Sequence, residues 1–256
     1  MSILITICGR AGSKGLANKN LKEFYGKPLI AYTLSAIDLL QKEMGLGIDV
    51  VLNTDSEDLQ RLALEYYPVL LVTRKEALAN DTASKISVIQ DTYFQSKNMT
   101  NREYDFVIDL DITSPLRTVA DIKQLIQQKI KNRGADVIFS VVNARRNPFF
   151  NMVKRDSDGN VSLVVPSNYT ARQQAPSIYE MNASMYLYDV AFLRKDVHIF
   201  DGICDVIEMK DYLILDIDSE EDFSWMEYLY PKHLEEDSDL KDIYEHIDSL
   251  KENKAL

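Results

Sequence analysis

The chain has 256 residues, 46% of them hydrophobic and 27% charged, with 40 Asp and Glu against 29 Lys and Arg for a formal net charge of −11. This balance favours a folded core over disorder, and the acidic excess argues against nucleic acid as the main partner, because phosphate binding needs a broad basic face. The apolar run 3–8 is too short for a signal peptide, and no segment has the roughly 20 apolar residues that span a bilayer. We therefore expect a cytoplasmic protein that is not associated with a membrane. Its two cysteines are too few for a disulfide framework or a zinc site.

Segments typical of strands and of helices alternate along the first half of the chain. This alternation predicts an α/β fold, a single Rossmann-like domain with a mostly parallel sheet. The predicted strands are 3–7, 48–53, 68–72, 105–110 and 135–142. The predicted helices are one that begins at Pro28, one from the cap Ser56 to about Tyr66, 84–96 and 118–130.

The alternation breaks at Asn143. Residues 143–181 contain Pro148, Pro166 and Pro176 and the turn "DSDGN", which predicts a small β-rich excursion inserted in the domain. The core is then formed by residues 1–142 and 182–256. Beyond the excursion we expect strands at 183–193 and 212–218, an acidic helix from Ser219 to about Tyr230, and an exposed charged helix at 235–251.

The loop after the first strand, "GRAGSKGLANKN" at 9–20, places three cations among three glycines. Its glycine spacing fits neither the dinucleotide fingerprint nor the P-loop. Ligands of open α/β sheets bind at the carboxyl ends of strands, and glycines let backbone N–H groups approach oxygens closely, so this loop predicts a site for a small anion such as a nucleotide. The alternative is a solvated glycine turn with ordinary surface lysines. The cations are Arg10, Lys14 and Lys19.

The same loop and a series of later segments resemble the cytidylyltransferases that activate nine-carbon sialic-type sugars. No single segment carries the resemblance, which extends over about residues 1–230 in order. The segments are "GRAGSKGLANKN", "GKPLIAYTL", "NTDSEDL", "TRKEALANDTAS", "TSPLR", "ARQQAP", "NASMY" and "LDIDSEEDF".

This resemblance implies that CTP reacts with a 2-keto nonulosonic acid to give a CMP-sugar and pyrophosphate. It implies that Arg10, Lys14 and Lys19 contact the triphosphate and that Asn20 helps to hold the nucleotide. It places Arg74 and Ser84 on the cytidine side. It also implies Mg²⁺ held by Asp216 and Asp218, and catalytic roles for Arg10, Lys19 and Asp218. Two carboxylates two residues apart on an extended strand point to opposite faces, so the chain must bend for both to reach one metal.

The sugar side is implied to draw on the end of the fourth strand, on the excursion and on the strand after it. The excursion of the family crosses to a partner subunit, which implies a homodimer. The implied sugar-binding residues are Asp111, Thr113, Arg172, Gln173, Gln174, Asn182 and Tyr186.

Two positions depart from the sialate pattern. Asp111 stands where many sialate-activating members have glutamine, which favours a legionaminate-type sugar over N-acetylneuraminate, and Lys85 stands where serine is common. The three histidines lie outside the matched segments, and we expect them at the surface.

Other functions remain open at this point. One is a guanylyl or other nucleotidyltransferase that uses a sugar 1-phosphate, and another is a nucleotide-binding protein without turnover. A dinucleotide dehydrogenase is disfavoured because its glycine fingerprint is absent.

Overall fold

The computed structural model of the protein describes residues 1–12, 15–80, 82–195, 197–211 and 216–254. In these residues the chain alternates strands and helices as the sequence predicts. The strands are β1 (Ile3–Cys8), β2 (Glu23–Phe24), β3 (Lys27–Pro28), β4 (Ile48–Thr54), β5 (Leu70–Thr73), β6 (Phe106–Leu110), β7 (Val137–Asn143), β8 (Val153–Arg155), β9 (Val161–Leu163), β10 (Tyr179–Asp189) and β11 (Cys204–Glu208). The helices are α1 (Leu29–Met44), α2 (Glu57–Tyr66), α3 (Lys85–Thr100), α4 (Val119–Lys131), α5 (Val190–Leu193), α6 (Glu220–Glu236) and α7 (Ser238–Lys254).

The central sheet has the strand order β11-β7-β10-β6-β1-β4-β5. Every neighbouring pair is parallel except those of β10, which runs antiparallel to both β6 and β7. The predicted α/β fold with a mostly parallel sheet is thereby confirmed. The carboxyl ends of β1, β4, β5 and β6 consequently lie along one edge of the sheet.

Apolar side chains cover both faces of this sheet. Successive residues of β1 divide between the two faces, with Ile3, Ile5 and Ile7 in one buried cluster and Leu4 in the other, as the two-residue period of a strand requires. The first cluster packs under α1, α2, α4, α6 and α7, and the second packs under α3 and α5. No helix of the described ranges is long and apolar enough to cross a membrane.

The second half of the chain departs from the predictions. Strand β10 ends at Asp189, whose carboxylate accepts the Ala191 N–H at 2.9 Å and begins the short helix α5 in place of the predicted strand to 193. Strand β11 was not predicted, and of the predicted strand 212–218 residues 212–215 lie outside the described residues while Asp216–Asp218 has no regular structure.

The two terminal helices also differ. Helix α6 continues through Pro231, because Tyr230 and His233 on either side of the proline are buried against the core. Helix α7 was predicted to be exposed, but it is amphipathic. Its apolar residues recur at three- and four-residue spacing and are buried: Leu240, Ile243, Ile247 and Leu250.

The excursion carries the small hairpin β8–β9, apart from the central sheet. Its two ends remain in the central sheet, because Asn143 of β7 pairs with Tyr179 of β10. Most of the segment 143–181 is irregular, with strand residues only at its two ends and in this hairpin. Its role in dimerisation stays a prediction.

Candidate active site

A cavity of about 530 Å³ opens at the carboxyl edge of the central sheet. Of its charged side chains, four are cationic and three are acidic among the described residues. They come from the loop after β1, from the segments that follow β5 and β6, from the start of α3 and from the segment before α6. They are Arg10, Lys19, Arg74, Lys85, Asp111, Asp216 and Asp218.

Two glycines allow the chain to close around this cavity. A Cβ atom on Gly15 would lie 2.3 Å from the backbone carbonyl oxygen of Asp218. A Cβ atom on Gly9 would lie 2.7 Å from Ile112 Cδ1 and 2.8 Å from Leu59 Cδ2. At Gly15 only a residue without a side chain fits, because the obstacle is backbone, whereas the side-chain ends of Ile112 and Leu59 near Gly9 could shift. Gly15 thus brings the cationic loop against the segment that carries the acidic pair.

This approach places a cation beside one of the two carboxylates. Lys19 Nζ lies 2.8 Å from Asp218 Oδ1, across 199 positions of sequence. Asn20, which the resemblance places on the nucleotide, donates its side-chain amide to the Arg10 carbonyl oxygen at 3.0 Å. Asn20 therefore holds the shape of the loop while it lines the cavity. Lys14 lies outside the described residues.

A buried chain of hydrogen bonds fixes Arg74 in the opposite wall. Its Nε donates to Asn53 Oδ1 at 2.9 Å, and the Asn53 amide donates to Thr92 Oγ1 at 2.8 Å. Asn53 is fully buried at the end of β4, and Arg74 is 9% exposed. One edge of the guanidinium is thus immobilised, which favours a fixed contact with a ligand.

Asp111 follows β6 and is held by three donors. Its Oδ1 accepts the backbone N–H and the hydroxyl of Thr113 at 3.1 and 2.9 Å, and its Oδ2 accepts Lys85 Nζ at 2.8 Å. Burial pushes the pKa of this carboxyl up, but Lys85 and Thr113 outweigh it and hold the pKa of Asp111 well below its usual value.

Asp216 has the opposite environment. Its Oδ1 is buried without a hydrogen-bond partner in the described residues. Burial and the neighbouring charge of Asp111 raise the pKa of this carboxyl. The buried Ile217 between the acids donates its N–H to the Thr113 carbonyl oxygen at 3.0 Å, and Asp216 and Asp218 on either side of it both line the cavity. The segment 216–218 is not an extended strand. Both carboxylates can therefore face the same cavity, which two acids two residues apart on an extended strand could not.

These acids fit a divalent cation. Mg²⁺ binds oxygen ligands and in nucleotide sites takes one or two carboxylates together with phosphate oxygens. The Oδ1 of Asp216, which has no hydrogen-bond partner among the described residues, is an oxygen of this kind. The described residues contain no cluster of three or more His, Cys, Asp or Glu side chains that could hold a metal ion.

Several residues that the sequence assigned to the site are not among the described residues that line this cavity. Ser84 caps α3 by accepting the Ser87 N–H, and it is not among the described residues that line the cavity. Asn182 is buried between β10 and β7, where it accepts the Ser140 hydroxyl at 2.6 Å. Tyr186 lies behind Lys85, whose Nζ is 5.0 Å from its ring centroid.

The three excursion residues are also apart from this cavity. Arg172 and Gln173 line a second cavity of about 390 Å³, where Arg172 donates to the Ala144 carbonyl oxygen at 3.0 Å. Gln174 accepts the Thr170 hydroxyl and the backbone N–H groups of Thr170 and Ala171. Their placement on the sugar stays a prediction.

Sequence reasoning missed three residues of the site. Asp109 Oδ2 lies 3.1 Å from Lys85 Nζ, and its two-residue spacing from Asp111 could have indicated it. Asn53, which holds Arg74, could have been indicated by its place in "NTDSEDL", one of the segments that carry the resemblance. Arg117 is 1% exposed and donates to the Ser114 carbonyl oxygen at 2.6 Å and to that of Asp111, which fixes the turn behind Asp111. Burial lowers the pKa of this guanidinium to about 10.

Comparison with known proteins agrees with this geometry. The family model described as cytidylyltransferase matches residues 4–256. The chain is 37% identical over 227 residues to the post-translational flagellin modification protein B of Campylobacter coli, and 34% identical over 227 residues to the CMP-N,N'-diacetyllegionaminic acid synthase of Campylobacter jejuni. Each alignment covers 89% of this chain and 94% of the relative.

A solved structure shares the fold. CMP:2-keto-3-deoxy-manno-octonic acid synthetase, complexed with CTP, superposes with a TM-score of 0.63 at 16% identity, over 91% of this chain and 100% of that chain. The chain belongs to the cytidylyltransferase family and is a nucleotidyltransferase.

Proposed function

We propose that the protein transfers the cytidylyl group of CTP to the anomeric hydroxyl of a nine-carbon 2-keto sugar acid, with release of pyrophosphate. The observation that carries this proposal is the cavity itself, in which a glycine loop brings Arg10 and Lys19 against Asp216 and Asp218. The sugar we propose is of the legionaminate type.

The charges of the cavity suit the assembly of two anions. A triphosphate and a sugar carboxylate repel each other by about 1 kcal/mol per pair of unit charges at 4 Å in water, and by more in a cleft that excludes water. Arg10 and Lys19 lie where they can neutralise the triphosphate. The same cations would stabilise the charge that grows on the leaving pyrophosphate.

The metal of this reaction is proposed to be Mg²⁺, held by Asp216 and Asp218. When bound, it would supply further positive charge to the phosphates. The protein's own residues are proposed to hold the two substrates in position. Arg74, fixed through Asn53, is proposed to lie on the cytidine side, and the Asp111–Thr113 turn, fixed by Arg117, on the sugar side. Orientation of this kind accounts for a large share of the rate in transfer reactions.

The choice of sugar rests on two observations. Asp111 presents an acid where the sialate pattern has glutamine, and the relative of Campylobacter jejuni that is 34% identical carries the name of a diacetyllegionaminic acid synthase. A buried polar group left without its partner costs about 1–3 kcal/mol, so an acid fixed at this point can discriminate between sugars with different substituents.

A panel of substrates tests the proposal. Pyrophosphate release is measured with CTP, UTP, GTP and ATP against N,N'-diacetyllegionaminate, N-acetylneuraminate, pseudaminate and hexosamine 1-phosphate, with Mg²⁺ present. We expect turnover with CTP and a nonulosonic acid, fastest with the legionaminate. Preference for GTP with a hexosamine 1-phosphate would replace the proposed reaction. Binding of CTP without turnover on any sugar would indicate a protein that only binds the nucleotide.

We further propose that the protein is a homodimer in which the excursion of one chain contributes to the site of its partner. The excursion and the start of β10 expose apolar side chains, among them Met152, Val153, Val161, Tyr169, Tyr179 and Met181. Exposed apolar side chains of this kind can be buried by association with a second copy of the chain. Arg172, outside the main cavity of its own chain, would then be available to the carboxylate of a sugar bound by the partner.

Mixing two inactive variants tests this arrangement. Co-expressed Arg172→Ala and Asp216→Ala chains should recover about a quarter of the wild-type rate, because half of the dimers are mixed and each mixed dimer has one intact site. If Arg172 serves the site of its own chain, the mixture contains no intact site. A mixture that recovers no activity would therefore place Arg172 in its own chain's site. Arg155→Ala, an exposed arginine of the same excursion, is the matched control.

A further inference from the structure

Lys85 is the first residue of α3, and its ammonium group reaches the cavity floor between two carboxylates. Its Nζ lies 2.8 Å from Asp111 Oδ2 and 3.1 Å from Asp109 Oδ2. The ring of Tyr186 lies behind it, with its centroid 5.0 Å from Nζ. One cation is therefore shared by two acids and backed by the negative face of an aromatic ring.

Among the described residues, Lys85 is the cation within ion-pair distance of both acids, and the buried Arg117 guanidinium behind the turn also interacts with their charges. Asp109 Oδ1 accepts the Thr6 hydroxyl at 2.8 Å, and Asp111 Oδ1 accepts both donors of Thr113. Asp109 is 1% exposed, so its charge is poorly screened by water. Without Lys85, two carboxylate oxygens would face the space that Nζ now fills.

Asp216 differs from this pair. Among the described residues, Asp216 Oδ1 and Asp109 Oδ2 are both buried without a hydrogen-bond partner, but Asp109 Oδ2 has the Lys85 ammonium at 3.1 Å, whereas Lys19 lies on Asp218 and not on Asp216. At Asp109 and Asp111, carboxylate oxygens share the ammonium group of Lys85. At Asp216, Oδ1 has no hydrogen-bond partner among the described residues.

We propose that Lys85 takes the place that a second divalent cation would otherwise occupy between Asp109 and Asp111, so that each active site binds one divalent cation, at Asp216 and Asp218. This inference rests on the proposed function, since it concerns the metal of the nucleotide site. It makes Lys85 a positioning residue, which holds Asp111 toward the sugar side and keeps it from acting as a metal ligand.

Counting Mn²⁺ tests the proposal without any turnover. Bound Mn²⁺ is measured by equilibrium dialysis on the full chain with a non-hydrolysable CTP analogue at saturation. We expect one Mn²⁺ per chain in the wild type and two in Lys85→Met. The double variant Lys85→Met/Asp111→Asn should return to one, because it removes a ligand of the second ion together with the lysine.

Lys97→Met is the matched control. Lys97 lies on the same helix, is exposed to a similar degree as Lys85 (33% against 35% for the side chains) and is paired with Glu103. We expect it to bind one Mn²⁺. Two ions in the wild type would overturn the proposal, as would a single ion in a folded Lys85→Met chain.

A failure of the proposed function can be told apart from a failure of this inference. If the CTP analogue does not bind, the proposed function fails, and the comparison is made with Mn²⁺ alone. Lys85→Met should then still bind one ion more than the wild type, and equal numbers in the two proteins would overturn the role of Lys85.

Discussion

The cavity edge and the contact between α1 and α7 differ in how their polar groups are paired. At the cavity edge Asp216 Oδ1 has no hydrogen-bond donor among the described residues. At the contact, within the helical layer of α1, α6 and α7, Ser35 donates to the Ile243 carbonyl oxygen at 2.7 Å, and Asp38 lies 2.7 Å from both Lys42 Nζ and His246 Nε2. Tilted and edge-on aromatic rings fill the space between these helices, including Tyr32, Tyr230 and Tyr244.

This difference indicates where stability and function reside. A buried oxygen without a partner costs free energy in the free protein, and it is retained where a ligand can supply the partner. Satisfied pairs and packed rings contribute stability but no chemistry. Substitutions at the cavity edge should therefore change turnover, and substitutions in the helical layer should change the free energy of unfolding.

The largest effect is expected at the acidic and cationic walls of the cavity. Asp216→Ala and Arg10→Ala should each lower turnover by about 10²-fold or more, on the order of 2.7 kcal/mol. The first removes the proposed metal ligand and the second a cation on the triphosphate. Steady-state pyrophosphate release measures the effect, with Asp58→Ala, an exposed acid paired with Arg61, as control. Near wild-type rates in both variants would refute these roles.

Gly15 is the next sensitive position. Gly15→Ala should lower kcat/KM for CTP by about tenfold, on the order of 1.4 kcal/mol, because the new Cβ would collide with the Asp218 carbonyl oxygen and separate the loop from the acidic pair. Gly47→Ala is the control, since a Cβ there meets nothing within 4 Å and its backbone is not left-handed. Equal kinetics in both variants would show that the close approach is not needed.

The helical layer should respond in stability. Ile247→Val removes one methyl group from a fully buried side chain of α7 and should lower the free energy of unfolding by about 1 kcal/mol. Turnover per folded molecule should stay at the wild-type level. Urea unfolding followed by circular dichroism measures the change. An unchanged midpoint would contradict the burial of α7 and support the exposed helix that the sequence predicted.

The smallest effect is expected from Asp38 as the pH is lowered. Burial raises the pKa of this carboxyl, but Lys42 and His246 outweigh it and lower the pKa below its usual value. Its contribution to stability is thus complete above the usual carboxyl pKa and is lost as the pH falls through the lower folded value. Between about pH 5 and pH 3, the wild type should lose about 0.5 kcal/mol more than Asp38→Asn. Parallel stability curves for the two proteins would contradict this.

The first half of the fold was predictable because its signals are local. Short β-branched runs alternate with amphipathic helices, and Ser56 accepts the Leu59 N–H as the predicted cap. Helix α7 was misjudged because its four buried apolar residues are dispersed among charges. Among the described residues, strand β11 pairs with β7 alone, at the edge of the sheet, and a five-residue edge strand leaves little trace in the sequence.

The site was predictable to the extent that its residues lie in compact segments. Part of the glycine loop lines one cavity together with Arg74, Asp111 and the acidic pair, as the resemblance implied. Their roles in binding and catalysis stay predictions. Lys85 was noticed only as a departure from a pattern. Its pairing with Asp109 and Asp111 could not be foreseen, because it depends on the start of α3 lying beside the end of β6.

By itself the sequence determined the layered α/β fold, the family and the cationic loop, because strand and helix periodicities and glycine spacing act over a few residues. Tertiary structure alone decided which charges meet. Gly15 reaches Asp218 and Lys19 pairs with it across 199 positions, and Asp216 Oδ1 is left without a hydrogen-bond partner among the described residues. Such contacts arise from the order of the strands and from the exclusion of water, and neither is written in any short stretch of chain.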